Sequence, residues 1–322
     1  MFVLLLLVTT LLLCADAIDA AAPPKPTRDR VLLFSYFTHN GEHGLRLAWS
    51  EDGYAWHPVN DAQPLLPPQV GEARLMRDPH LFTAGDGTFH LVWTTAWWGK
   101  SFGHASSDDL VNWSKQQAVP IMQHEPSATN VWAPEAVWDP QHERFVIFFA
   151  STVPERIAVI EGDDHNHRIY VTTTTDFVTF TAPKLFFDPG YNVIDSSIAW
   201  NEADKTWVMF FKDERKFPEA KKHLLIARAP SLDGPWEVFT ESISGRDWAE
   251  GPSAVFHDGV WKLYFDRYTR GGYGLLTSRD LHTWTDETSK LKFPRGARHG
   301  TVIEVPRAVV ETLIEKTGGN HR

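Results

Sequence analysis

Residues 78–116 read DPHLFTAGDGTFHLVWTTAWWGKSFGHASSDDLVNWSKQ. PHLFT is a short β-type run and GDG a turn. TFHLVWTT alternates and is rich in β-branched and aromatic residues. SFGHASS and NWSKQ follow, separated by a polar turn around an aspartate. Strand, turn, strand, loop, strand, turn, strand predicts a four-stranded antiparallel meander. Its closing phrase, SSDDLVNW (106–113), is written again as SEDGYAW (50–56), TTDFVTF (174–180), PSLDGPW (230–236) and TSRDLHTW (277–284). Each copy sets a small polar residue and an aspartate ahead of an aromatic. Five copies define a repeat architecture.

The meander itself recurs, so four complete units start near Asp78, Trp132, Asp195 and Glu250. Helical periodicity is confined to AVVETLIEK near the C-terminus. Two pieces are left over. The segment VLLFSYFTHNGEHGLRLAWSEDGYAWHPV supplies the second, third and fourth strands of a unit, and RHGTVIEV supplies a first strand alone. Together they make a fifth unit. The expected fold is therefore all-β: a five-bladed β-propeller of four-stranded antiparallel blades, with the last blade closed by N- and C-terminal strands so that no sheet edge is left open. The repeated aspartates belong to the third-to-fourth strand turns and are expected to be structural.

Residues 1–22 form a separate segment. The apolar run from Phe2 to Cys14, followed by small residues and AAPPKP, predicts a secretory signal peptide and a secreted or periplasmic protein with no membrane association after cleavage. Residues 23–322 are then one propeller domain, expected to be monomeric. Cys14 is the sole cysteine, so the mature chain has neither a disulfide framework nor a thiolate nucleophile. The formal charge is −10, from 41 acidic and 31 basic residues, and no Lys/Arg cluster appears, which argues against nucleic acid. The 14 Trp and 20 Phe supply core, and flat rings at the surface suit carbohydrate.

In this topology the aspartate turns lie on one face of the disc. The opposite face gathers the starts of the first strands: RDPHL, WAPEA, IDSSI, EGPSA and RHGTV. Asp78, Glu135, Asp195 and Glu250 are expected in one register, pointing at one funnel with His299. Crowded carboxylates cost electrostatic energy, which points to chemistry.

These motifs, in this order and at blade spacing, resemble glycoside hydrolase family 43. The resemblance covers the whole mature chain and implies an inverting glycosidase acting on α-L-arabinofuranosides or β-D-xylosides, with galactofuranosides also open. It implies Asp78 as general base, Asp195 as the residue that raises the acid's pKa and orients substrate, and Glu250 as general acid. Inversion needs a base and an acid on opposite sides of the sugar. Among the supporting residues, Arg77 and His80 flank the base; Arg77 either holds a sugar hydroxyl or neutralises the carboxylates. Trp97, Trp98 and Trp132 are placed to stack on sugar. Glu135 is assigned to a sugar hydroxyl, and Lys212 and Arg267 are read as equivalent loop positions. No cofactor is required. His299 is either a ligand near an axial calcium ion, as in related propellers, or a hydrogen-bonded strand residue. Two rival readings stand: a carbohydrate-binding propeller without activity, and a retaining fructan-cleaving enzyme, whose Asp-Pro-Asn motif is missing from residues 31–60.

Overall fold

Strands β1 (Arg30–Phe37), β2 (Arg46–Ser50) and β3 (His57–Pro58) begin the chain in the computed structural model, which describes residues 29–159, 165–245 and 248–318. The expected signal segment lies outside the described residues. Blade I is β4 (Arg77–Thr83), β5 (Phe89–Thr94), β6 (Phe102–Ser107) and β7 (Gln117–Val119). Blade II is β8 (Trp132–Asp139), β9 (Arg144–Ser151), β10 (Arg168–Thr174) and β11 (Lys184–Phe187). Blade III is β12 (Val193–Asn201), β13 (Thr206–Asp213), β14 (His223–Ala229) and β15 (Glu237–Val238). Blade IV is β16 (Glu250–His257), β17 (Val260–Asp266), β18 (Tyr273–Ser278) and β19 (Thr285–Asp286). Finally β20 (Arg298–Pro306) pairs antiparallel with β1, giving a sheet of order β20-β1-β2-β3, blade V. The innermost strands pack in the ring order β4, β8, β12, β16, β20 and back to β4. The helix α1 (Arg307–Thr317) follows β20 and seals blades V and I with Val310, Leu313 and Ile314.

Both faces of each blade are buried, because each sheet is sandwiched between two others. Alternation then serves two cores. In FVIFF, Phe145, Ile147 and Phe149 face blade I, while Val146 and Phe148 face blade III. In β1, Val31 and Leu33 face blade I, while Leu32, Phe34 and Tyr36 face blade IV. Five apolar clusters result, one at each blade interface. A fully buried side chain of this size contributes about 1.5–3 kcal/mol.

The repeated turns hydrogen-bond alike in four blades. Ser107 Oγ accepts from Leu110 N (2.8 Å), and Asp109 Oδ1 accepts from Asn112 N (2.7 Å). Ser50/Asp52, Thr174/Asp176 and Ser278/Asp280 do the same for the amides that follow them. The indoles of Trp56, Trp113 and Trp284 donate back to the turn carbonyls. The blade III copy departs: Gly234 N donates to Ser231 O, and a proline precedes Trp236.

Candidate active site

Every innermost strand carries a β-bulge at the same level. Arg77 pairs with Thr94 and His80 with Val92, so Asp78–Pro79 stand opposite Trp93 alone. In the same way Ala133–Pro134 face Phe149, Asp195–Ser196 face Phe211, Gly251–Pro252 face Phe265, and His299–Gly300 face Tyr36. The first bulge residue has positive φ in four blades: Asp78 (50°), Ala133 (44°), Asp195 (52°) and Gly251 (56°). Bulges of this kind re-aim side chains. The strain at Asp78 and Asp195, neither a glycine, marks them as held by their surroundings. Gly251 admits no side chain, since a Cβ there would come within 2.4 Å of the His299 ring.

The bulge corrects the expectation of a common register for the carboxylates. Asp78 and Asp195 occupy the bulge, with His299 equivalent in blade V. Glu250 lies one residue earlier, level with Arg77, Trp132, Ile194 and Arg298. Glu135 lies two residues later, level with His80, Ser197, Ser253 and Thr301. The two levels do different things. Glu250 lines the funnel. Glu135 and His80 are buried beneath it: His80 Nδ1 lies 3.0 Å from Thr301 Oγ1, Nε2 3.0 Å from Ala136 O, and Glu135 Oε2 3.5 Å from His80 Nδ1. Burial pushes the Glu135 carboxyl well above the usual range, with the Asp195 charge adding to it against the Ser197 hydrogen bond, and pushes His80 down to about 4. These two residues form a neutral polar plug on the axis, out of reach of a ligand in the funnel.

The funnel is a cavity of about 370 Å³ lined by residues of all five blades. Asp78 Oδ2 accepts from Thr94 Oγ1 at 2.7 Å, and Thr94 Oγ1 in turn accepts from the amide of Ala133 at 2.8 Å. His299 Nδ1 lies 3.4 Å from Asp78 Oδ1 and 3.7 Å from Asp195 Oδ2, so the closing blade links the two aspartates. Asp195 Oδ2 also accepts from Gly251 N at 3.0 Å. Glu250 Oε2 meets Lys212 Nζ at 3.0 Å, and Oε1 meets Arg298 at 3.2 Å. Lys212 continues to Glu214 at 2.8 Å, and Glu214 pairs with Lys222. Arg298 Nε donates to Asp266 at 2.6 Å.

The charge order within the Asp195–Glu250 pair is the reverse of the expected one. Burial, with the Glu250 and Asp78 charges, lifts Asp195 to about 6 against the pull of His299 and Lys212. Burial pushes Glu250 upward as well, but Lys212, His299 and Arg298 outweigh it and hold the carboxyl below the ordinary glutamate range. An anionic neighbour raises a carboxyl pKa; here Lys212, His299 and Arg298, from two other strands, decide the sign.

Blades I and II build one aromatic side of the rim. Arg77 donates to Asn40 Oδ1 at 2.9 Å and lies 4.1 Å from the Trp97 ring centroid; Trp97 Nε1 donates to the same oxygen at 2.9 Å. Trp132 Nε1 donates to Trp97 O at 2.7 Å. Trp97 and Trp132 line the cavity, while Trp98 stands outside it, 5.9 Å from the Trp132 ring. Arg267 does not line the cavity. Lys212 pairs with Ile194 and Asp266 with Glu250, so the blade IV counterpart of Lys212 is Asp266 and Arg267 matches Asp213. One residue along a strand reverses the face. Arg298, Glu214, Tyr268, Lys222, His165 and Trp248 line the funnel without having been singled out in the sequence. Arg298 carried a signal, preceding His299 as Arg77 precedes Asp78. The long-loop residues carried none.

A calcium ion near His299 finds little to hold it. Among the described residues no three His, Cys, Asp or Glu side chains gather as a metal-ligand set. The imidazole nitrogen faces two carboxylates, and the hydroxyl of Thr301 below is committed to His80.

Residues 30–311 match the family model Glyco_hydro_43_rel, described as "Probable glycosyl hydrolase domain". An α-L-arabinofuranosidase of Bifidobacterium longum subsp. longum is 30% identical over 156 residues, 44% of this chain and 14% of the relative, so the chain spans about a seventh of that protein. The crystal structure of an α-L-arabinofuranosidase from Lactobacillus brevis superposes with a TM-score of 0.52 at 16% identity, over 66% of this chain and 72% of that one. A GH43_1 enzyme from Xanthomonas citri in complex with xylose superposes with a TM-score of 0.52 at 14% identity, over 66% and 72%. The structures share the fold, and the family match extends over nearly the whole propeller: the chain belongs to the family 43-related glycoside hydrolases.

Proposed function

We propose that the protein is an inverting glycosidase of terminal pentoside or furanoside residues. α-L-Arabinofuranosides and β-D-xylosides are the favoured substrates, as the names of its relatives suggest, and galactofuranosides are a further class to test. The observation that carries the reading is the convergence of Asp78, Asp195 and Glu250, from three separate blades, on one cavity. In the proposed reaction Asp78 takes a proton from water as the water oxygen attacks the anomeric carbon. The glycosidic C–O bond breaks, and Glu250 gives its proton to the departing oxygen. Asp195 orients the sugar and sets the charge beside Glu250. An oligosaccharide or polysaccharide is the partner, and the expected setting is extracytoplasmic, with the protein monomeric.

The ion pairing of Glu250 favours a second reading, a carbohydrate-binding propeller without turnover. A panel of nitrophenyl glycosides, with product anomers followed by NMR, separates the two. First-formed product of inverted configuration supports the proposal; retention or no turnover sinks it. Glu250→Gln should lower kcat by about 10²–10⁴-fold on substrates with poor leaving groups and much less on nitrophenyl glycosides, which need little protonation. Equal losses on both would remove Glu250 from the acid role.

A further inference from the structure

Apart from Phe217, the large exposed aromatic side chains among the described residues stand in two groups. Trp97, Trp98 and Trp248 surround the funnel. Trp138, Trp200 and Phe256 stand at the opposite end of the innermost strands, 37%, 39% and 52% exposed. These three occupy one register: each lies three residues beyond the axial position held by Glu135, Ser197 and Ser253. Each also packs on its cross-strand partner, with ring centroids 4.8 Å apart for Trp138–Phe145, 5.3 Å for Trp200–Trp207 and 5.4 Å for Phe256–Trp261. The equivalent residues of blades I and V are Thr83 and Glu304, so the aromatic row runs over blades II, III and IV only.

The row is grooved. Trp138 and Trp200 border one cavity of about 420 Å³, and Trp200 and Phe256 border another of about 420 Å³, so Trp200 is the ridge between two adjoining grooves. The walls are tied in place. Arg144 bridges Asp139 (3.0 Å) and Asp233 (3.0 Å), joining blade II to blade III. Trp200 Nε1 donates to Glu202 at 2.7 Å, which fixes the indole while leaving part of its surface open. Around the rings lie Asp139, Asp233, Glu202, Asp204 and Asp280, five carboxylates against Arg279 and the imidazoles of His142 and His282. Rigid flat rings set among polar side chains suit a ligand that is apolar on its faces and hydroxylated at its edges. The carboxylates disfavour a polyanion, and the interruption of the rings by polar turns differs from a continuous apolar protein interface.

We infer that the face opposite the funnel is a second carbohydrate-binding surface, on which a neutral polysaccharide lies across blades II to IV. It would hold a polymer to the protein while the funnel works on chain ends or side chains, and its binding does not depend on turnover in the funnel.

The test is affinity electrophoresis of the full chain carrying Asp78→Asn, through gels containing a neutral arabinan, arabinoxylan or galactan, or anionic polygalacturonate. The protein should be retarded by at least one neutral polymer and not by polygalacturonate. Adding Trp200→Ala or Phe256→Ala should weaken that retardation about tenfold, and Trp132→Ala at the funnel should leave most of it. In the otherwise wild-type protein, Trp200→Ala and Phe256→Ala should lower Tm through the lost ring packing yet keep one cooperative transition, and should leave kcat/KM on a nitrophenyl glycoside unchanged. Absence of retardation, unaltered retardation in both far-face variants, or loss only with Trp132→Ala overturns the inference. Retardation with no turnover on any glycoside would sink the hydrolase reading and leave this surface standing.

Discussion

Glu250 sits between two cations, Lys212 Nζ at 3.0 Å and Arg298 at 3.2 Å, while Asp195 beside it is lifted to about 6. The proton of the free site therefore resides on Asp195 before it resides on Glu250. For a general acid, kcat/KM falls as pH rises through the free-enzyme pKa, so the alkaline limb should lie on the acid side of neutrality. Lys212→Met removes the nearest positive charge, raises the Glu250 pKa, and should carry that limb to higher pH. Asp195 keeps its proton through the range in which Glu250 titrates, so Asp195→Asn exchanges one neutral side chain for another and should leave that limb nearly in place while activity falls. The acidic limb, set by Asp78 as base, should move little in either. Full pH–rate profiles on one natural-type substrate check these shifts. An acidic limb that moves in Asp195→Asn would exchange the base and modulator roles, an alkaline limb that moves in it would show Asp195 ionised beside Glu250, and an alkaline limb fixed in Lys212→Met would leave Lys212 to positioning alone.

The bulge and the aspartate turn are the two repeated devices at the scale of the element. The bulge, always opposite an aromatic of the second strand, aims one residue per blade toward the axis. The turn closes the far end of the blade and carries no funnel residue. Backbone hydrogen bonds from Thr283 and His282 hold the Asp280 carboxyl down to about 2, as expected of a turn acceptor. Asp52→Asn, Asp109→Asn and Asp280→Asn should therefore keep kcat within about twofold, because they lie at the far end of the blades and keep an acceptor oxygen. A loss of a hundredfold in any of them, with Tm unchanged, would contradict that assignment. The recurring turn was legible because its side chain–backbone bonds are local. The bulge was not, since an inserted residue shows only when the pairing partner is known. That is why Glu135 and Glu250 were read as equivalent to Asp78 and Asp195.

Closure by β20 on β1 makes the ends of the chain part of one ring at the scale of the whole molecule. Deleting residues 23–60 removes β1–β3 and exposes the apolar faces of blades I and IV. Such a protein should lose its cooperative melting transition, and an active, cooperatively folded truncation would refute the role of closure. Acid should also loosen the ring. Burial lowers the pKa of His80 to about 4 and of His104 and His167 to about 3. The unfolded chain, with histidines near 6.5, binds more protons between these values, so stability falls as pH drops through that window. His80 alone accounts for ~3 kcal/mol. Asp195 opposes this between its ordinary value and about 6, and Glu135 and Asp266, which burial also raises, oppose it as well, since each holds a proton longer in the fold. His104→Leu removes one of the depressed histidines, so from pH 7 to pH 4.5 its Tm should fall less, or rise more, than that of the wild-type protein.

The five-fold repeat, the strand order within a blade, the closure by β20 on β1, and the placing of Asp78, Asp195, Glu250 and His299 on one face are all readable from the chain alone. Those features rest on periodicity and on turn chemistry, which act over a few neighbouring residues. The tertiary structure is needed to show that His80 and Glu135 lie beneath the funnel, that Asp266 and not Arg267 is the counterpart of Lys212, and that the cations override the effect of Asp195. Each of these depends on the bulge register and on charges brought together from strands far apart in the chain. Coulomb energy and burial depend on distance in space, to which sequence order gives no access before the ring is closed.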